Sequence, residues 1–116
     1  MIKQLLIDIL EKYCPNNVYL QGTLNPDEAY PETFITFWIN FTDDNAHYDD
    51  KVHSVDWNCS VIYYSSDPQL VNTIPEKIIT DLISLGFIPQ GKGNDIPSDH
   101  PSHTGWEMEF FYTEIL

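Results

Sequence analysis

The sequence predicts one α+β domain, an antiparallel sheet of about four strands with two helices packed on one face. Two observations predict this class. Apolar residues recur at steps of three and four in two segments, the period of an amphipathic helix. Elsewhere they alternate with polar residues, the period of a half-buried strand. A length of 116 residues suits a single hydrophobic core, so residues 1–116 are expected to form one domain.

The first half of the chain contains the first helix and the first two strands. The helix covers residues 2–13 and ends near Cys14, because the residue before Pro15 is pushed out of the helical region. A brief strand follows at residues 18–20. The second strand, residues 33–41, is rich in aromatic and β-branched residues. Its alternation places these residues on one face: Ile35, Phe37, Ile39 and Phe41.

The second half supplies a third strand, a second helix and a final strand, which completes the order α-β-β-β-α-β. Period-two alternation predicts strands at residues 54–65 and 104–115. The helix between them has two candidate starts, at Asp67-Pro68 and again near Asn72, and Gly86 is its expected stop. An antiparallel sheet can be covered on one side only, so aromatic residues on its other face are candidates for burial against another subunit.

Three polar segments are expected to be loops: residues 23–32, 42–53 and 92–103. The middle segment carries four aspartates and almost no apolar pattern. The last one is dominated by glycine, proline and other turn-forming residues.

The charge balance excludes one large class of function. The chain has 18 Asp and Glu residues and five lysines, no arginine, and a net charge of -13. Nucleic-acid binders need Lys and Arg to neutralise phosphates, and Arg is the main bidentate reader of guanine. We therefore expect no specific nucleic-acid binding. The acidity either serves solubility or provides a functional negative field.

No motif predicts an enzyme or a cofactor. His100 and His103 with nearby aspartates could be metal ligands, and the aspartates of residues 42–53 could bind calcium, but neither spacing is diagnostic. Cys59 is expected on an apolar strand face, where a neutral thiol is favoured over a nucleophile. Cys14 and Cys59 are expected to be buried free thiols, with a disulfide as the alternative.

The N-terminal segment lacks a signal peptide's cleavage site, and the uncharged stretches are shorter than a membrane span. We expect a soluble protein that stays inside the cell.

Several segments resemble a family of small prophage proteins of Gram-positive bacteria. The similarity is carried by residues 18–22 (Val-Tyr-Leu-Gln-Gly), 30–34 (Tyr-Pro-Glu-Thr-Phe), 57–58, 64–68 (Tyr-Ser-Ser-Asp-Pro), 91–93 and 98–105. The predicted element order is also similar to that of tail-terminator and head-to-tail joining proteins of long-tailed phages. Their subunits form rings, often hexameric, at the end of the tail tube, and no catalytic residues come with the resemblance.

This resemblance implies a ring subunit that contacts copies of itself and tail-tube or connector proteins, while DNA passes through the ring. Its location would be the host cytoplasm during assembly and then the virion tail or neck. The three predicted loops are the expected contact segments. The candidate interface residues are Tyr30, Phe34, Trp38, Asp43, Asp44, His47, Tyr48, Asp49, Asp50, His100, His103 and Trp106.

Two other classes of function stay open. The first is a small acidic adaptor or inhibitor that mimics nucleic acid or docks on a basic partner. The second is a metal-dependent enzyme that uses the loop with His100 and His103.

Overall fold

The structure, a computed structural model, describes residues 2–20, 31–48, 51–97 and 102–115. Within these ranges the chain forms two helices and six strands. In chain order they are α1 (Ile2–Leu10), β1 (Val18–Leu20), β2 (Thr33–Tyr48), β3 (Lys51–Ser65), α2 (Pro68–Ser84), β4 (Ile88–Pro89), β5 (Asn94–Pro97) and β6 (Thr104–Ile115). The predicted α+β class is confirmed. No helix in these ranges has the length and apolar character needed to cross a membrane.

The sheet is mixed and has more strands than predicted. Its order is β1-β2-β3-β6-β4, and β5 also pairs with β6. All pairs are antiparallel except β1 with β2, whose register sets Val18 opposite Ile35. The purely antiparallel sheet of about four strands was therefore wrong in detail. Alternation defines the faces of a strand but not its direction, and β4 and β5 are too short to show a period.

The predicted loop at residues 42–53 was also wrong over its described part. The β2–β3 ladder continues there, through Thr42 opposite Trp57 and Asp43 opposite Asp56, to Tyr48 opposite Lys51. Main-chain hydrogen bonds hold such a ladder whatever the side chains are, so polar residues can extend a hairpin that an apolar pattern started.

An irregularity in β2 changes which face Phe41 occupies. Ile39 pairs with Cys59 while Phe41 pairs with the adjacent Asn58, so Asn40 is an extra residue in β2. A β-bulge of this kind moves the side chains that directly follow it to the opposite face, up to the next register shift, between Asp44 and Ala46. The expectation that Phe41 shares a face with Ile39 was therefore wrong.

The start of α2 uses the first of its two predicted signals. The Asp67 side chain accepts a hydrogen bond of 2.9 Å from the Gln69 amide, and Pro68 occupies the first turn. Pro75, at the second signal, lies buried inside the helix. The helix ends at Ser84 with Leu85 as its C-cap, and the following Gly86 has φ +98°, a left-handed conformation that glycine adopts without strain.

Both helices pack on one face of the sheet. The buried cluster there combines residues from every layer: Leu6 and Leu10 of α1, Ile78 and Leu82 of α2, and Ile35, Phe37, Cys59, Val61, Tyr63, Met108 and Phe110 of the sheet. Cys14 and Cys59 are buried free thiols, as predicted. We call the opposite side of the sheet, which carries Phe41, Asn58 and Phe111, the outer face.

Candidate protein interface

The register of the strands arranges the outer face in rows. One row contains Phe41 of β2, Asn58 of β3, Phe111 of β6 and Ile88 of β4, because each is the directly paired partner of the next. Directly paired residues share a face and have neighbouring side chains. An apolar row therefore crosses four strands, interrupted only by Asn58.

The apolar row is exposed to an extent that is unusual for large side chains. Phe41 is 49% exposed and Ile88 is 59% exposed, and Phe111 is partly buried. The rings of Phe41 and Phe111 meet edge to face, with centroids 6.1 Å apart. Asn58 is the β3 residue that lies between them in the row. Exposed apolar groups that adjoin one another are typical of contact surfaces.

A hydrogen-bonded network of side chains lies beside this row. Asn40 donates to the Asn58 side-chain oxygen at 2.7 Å and to the Ser60 hydroxyl at 2.8 Å. Trp38 Nε1 donates to the Asn40 side-chain oxygen at 2.7 Å. The fully buried Asn58 also donates to the Phe110 carbonyl. Because these polar groups satisfy one another, they fix the bulge that holds Phe41 on the outer face.

Acidic residues border the apolar row on both sides along the strands. On one side Glu109 pairs with Ser60, which in turn pairs with Trp38. On the other side Asp43 lies opposite Asp56, whose carboxylate accepts a 2.6 Å hydrogen bond from the Thr113 hydroxyl. The apolar row therefore has Glu109 on one side and the pair of Asp43 and Asp56 on the other.

Four of the five lysines lie on the helix side of the molecule, and the fifth, Lys51, is in β3. Lys3 is in α1, Lys12 follows that helix, and Lys77 is in α2. Lys92 lines a depression of about 260 Å³ with Pro75 of α2 and Trp106. Among the described side chains, lysines therefore lie on the helix side alone, whereas acidic residues lie on both sides of the sheet, for example Asp8 of α1 and Glu76 of α2.

The far end of the outer face is closed by an aromatic cluster. Phe34 is 3% exposed and stacks on Tyr64, with ring centroids 4.8 Å apart. The His103 ring packs against the Phe34 ring, with centroids 5.8 Å apart. His103 Nε2 lies 2.8 Å from the Pro31 carbonyl and Nδ1 lies 2.8 Å from the Ser102 hydroxyl. A carbonyl can only accept, so we assign the proton to Nε2. His103 connects β6 to the segment before β2.

The predicted interface residues lie in different parts of the molecule. Asp43 and Trp38 lie on the outer face next to the apolar row, whereas Phe34 and His103 are buried at its far end. Trp106 lies on the helix side, where its Nε1 donates to the Lys92 carbonyl at 2.8 Å. The backbones of Asp44, His47 and Tyr48 belong to the hairpin. The remaining four lie outside the described residues: Tyr30, Asp49, Asp50 and His100.

The apolar row was missed by sequence reasoning. Alternation along β6 does place Phe110 and Phe111 on opposite faces of the sheet. The bulge in β2 has no sequence signature, so nothing in the sequence showed that Phe41 would lie on the same face as Phe111. Ile88 lies in a strand of two residues, which carries no period.

The helix side offers a polar depression of about 530 Å³ between the end of α1 and α2. At its edge the Tyr13 hydroxyl donates to Asp81, which also pairs with Lys12 at 3.1 Å. Burial and this hydrogen bond raise the pKa of Tyr13 to about 12, while the same hydrogen bond lowers the pKa of Asp81. This contact connects the helices and keeps the tyrosine protonated, so the phenol is not poised to accept a proton.

The other described side chains that could carry chemistry, a thiol and possible metal ligands, show no activation either. Burial, with the Glu109 charge as a second cause, raises the pKa of the Cys59 thiol to about 12. A protonated, buried thiol is a poor nucleophile. Among the described residues, no three His, Cys, Asp or Glu side chains are grouped as metal ligands.

No protein-family model matches the chain, and no curated protein matches it either.

Proposed function

We propose that this chain is a structural assembly protein of a long-tailed bacteriophage, a tail-terminator or head-to-tail joining subunit. It acts through protein–protein contacts and assembles with copies of itself into a closed ring. The resemblance of its sequence segments to prophage proteins gives this proposal its biological setting. The observation that carries it is the form of the β2–β3 hairpin.

The hairpin extends past the core that folds the domain. The last β2 residue packed against the core is Ile39, yet the strand runs on to Tyr48. The extension, residues 40–48 of β2 with residues 51–56 of β3, is called the arm below. The subunit measures 53 by 27 by 22 Å, which fits an elongated molecule with such an arm.

In the described part of the structure, the tip of the arm is a two-stranded ribbon. β6 flanks the arm up to the pair of Ile115 with Ser54, and beyond it the described ladder consists of β2 and β3, with His47 opposite Val52 and Tyr48 opposite Lys51. A two-stranded ribbon is marginally stable in water. Packing against a neighbouring subunit would stabilise this tip, and a head-to-tail contact repeated around an axis would close a ring.

An acidic, arginine-free subunit also suits a channel through which DNA must slide, because it offers no tight phosphate contacts. Under this proposal the acidity of residues 42–53 serves the channel, and the four aspartates that test it are Asp43, Asp44, Asp49 and Asp50. Reversing the four to lysine should impair tail completion or DNA passage, and unchanged phage yield would contradict the channel assignment.

Shortening the arm tests ring assembly. Asp44 and Val55 are direct partners, so residues 45–54 can be replaced by Asn-Gly, a two-residue hairpin turn. We expect light scattering to give a closed oligomer for the wild type and a monomer for the short-arm variant. Ile83→Ser, an exposed α2 position, is the control and should keep the wild-type mass. Equal masses for the wild type and the short-arm variant would contradict a role of the arm.

A second candidate is the acidic adaptor or inhibitor. The observation that favours it is that the described side chains of the outer face include the acids Asp43, Asp56 and Glu109 and no lysine. Its signature is a monomer that binds a basic nuclease or repressor and is released by salt, because such binding is electrostatic.

A further inference from the structure

We propose that the outer face binds a basic amphipathic helix of a partner protein, which lies along the apolar row. The helix would place its apolar stripe on Phe41, Phe111 and Ile88. Its flanking lysines or arginines would meet Glu109 on one side and Asp43 and Asp56 on the other.

The dimensions of the row fit a helix. From β2 to β4 the row spans three strand spacings, which is about 14 Å. That length equals nearly three helical turns, so apolar residues at i, i+3 or i+4, and i+7 would meet the row. The outer face would then be covered by a helical layer, as the other face already is.

The acidic residues on the two sides of the apolar row fit the sides of such a helix. Each is two residues along the strand from the apolar row, at about 7 Å. A helix has a similar radius with its side chains, so basic residues on both flanks of the apolar stripe would reach the carboxylates. The surface has an apolar centre and a charged rim, which is the usual anatomy of a protein interface.

The charge argues for a different protein and against a second copy. Two outer faces brought together would set Glu109, Asp43 and Asp56 against the same acids, in a chain of net charge -13. Asp43 already lies opposite Asp56 within one subunit, an unfavourable pairing of like charges. Cations from a partner would relieve this repulsion.

The surface is already ordered for binding. Phe41 and Phe111 contact each other, and the hydrogen bonds of Asn40 and Asn58 hold the strand irregularity that orients Phe41. A partner helix would therefore bind without reorganising the sheet, which limits the entropy cost of association.

Three synthetic peptides of about 18 residues, long enough to form a helix, probe this face. One has a leucine stripe and lysines elsewhere. The second keeps the stripe with glutamates, and the third keeps the lysines but has serine in place of leucine. We expect fluorescence anisotropy at about 0.15 M salt to show binding of the lysine–leucine peptide alone.

Variants of the protein locate the binding site. Phe41→Ser and Phe111→Ser should each weaken binding at least about tenfold, since central aromatic contacts dominate interface energies. Glu109→Gln should weaken it less and reduce its salt dependence. Ile83→Ser is the matched control, because Ile83 is 51% exposed against 49% for Phe41 but lies on α2. Circular dichroism checks that each variant is folded.

The proposal would be overturned if the lysine–leucine peptide failed to bind, or if it bound Phe41→Ser as tightly as wild type. Equal affinity for the lysine–serine peptide would also overturn it, since attraction would then be electrostatic only. The inference does not rest on ring assembly. The mass of the short-arm variant tests the ring, while the peptide tests the outer face, so either can fail alone.

Discussion

The two faces of the sheet use similar side chains for different purposes. On the helix side Phe37, Phe110 and Tyr63 are 1% exposed or less and belong to the same buried cluster as residues of both helices. On the outer face Phe41 is half exposed although it belongs to the same strand as Phe37. Burial of an aromatic ring stabilises the fold by roughly 2–3 kcal/mol. An exposed ring contributes that free energy only when a partner covers it. One strand thus contributes to folding along one part and to binding along another.

The largest expected effect is the loss of a core ring on the helix side. Phe37→Ala should lower the free energy of unfolding by about 3–5 kcal/mol, because it removes buried surface and leaves a cavity between β2 and the helices. Urea denaturation measures this change. A loss below about 1 kcal/mol would mean that the helices do not close over this face.

The edge of the sheet should be the next most sensitive region. Gly93 has φ +96°, and a Cβ there would overlap the Glu107 carbonyl oxygen and Trp106 Nε1. Gly93→Ala should therefore destabilise the protein by about 1–3 kcal/mol, from backbone strain and displacement of Trp106. Gly91→Ala is the control, since Gly91 also has positive φ but no atom lies within 4 Å of a Cβ. Thermal unfolding should show the smaller loss for Gly91→Ala.

The helix side should also determine the response to alkaline pH. Burial raises the pKa of Cys14 to about 11, and those of Cys59 and Tyr63 to about 12, above ordinary values of 9.0 and 10.0. Groups with a raised folded pKa give stability that is fully present below the unfolded pKa and lost as pH rises through the folded one. The urea midpoint should be constant to about pH 8.5 and fall between pH 9 and 12.

The reactivity of the native thiols gives a second measurement of how well the helix side is closed to solvent. At pH 8 both cysteines should react slowly with a thiol reagent until urea unfolds the chain. Rapid labelling of the folded protein, or an unchanged urea midpoint at pH 11, would contradict a closed helix side.

The smallest stability effect is expected on the outer face. Phe41→Ser should change the free energy of unfolding by less than about 1 kcal/mol, because half of the ring is already in water. A loss comparable to that of Phe37→Ala would show that Phe41 serves the fold, and the outer face would lose its central contact.

The sequence predicts the helix side well because periodicity reports burial. The alternation in β6 correctly separates Met108 and Phe110 from Glu109, and the Asp67-Pro68 signal starts α2 at the right residue. The outer face depends on features that produce no hydrophobic period in the sequence. The bulge at Asn40 and the partners of the short strand β4 are set by cross-strand packing and hydrogen bonds, which only the fold brings together.

The direction of β1 was beyond sequence reasoning for a related reason. Val18 and Tyr19 alternate as in any strand, and the connection between β1 and β2 decides whether they pair in parallel. The aspartates of the arm predicted a loop, because polarity on both faces resembles a solvated turn. In the structure they continue a ladder that starts in the core.

The central claim is that the helix side stabilises the fold and the outer face binds a partner. Its most direct test uses two adjacent residues of β6. Phe110 is fully buried on the helix side, and Phe111 is the central ring of the apolar row. For Phe110→Ala and Phe111→Ala, both the free energy of unfolding and the affinity for the lysine–leucine peptide should be measured. We predict that Phe110→Ala loses about 3–5 kcal/mol of stability, while Phe111→Ala stays folded and loses at least about tenfold in affinity. If Phe111→Ala retained wild-type affinity, or lost as much stability as Phe110→Ala, the outer face would not be the binding surface.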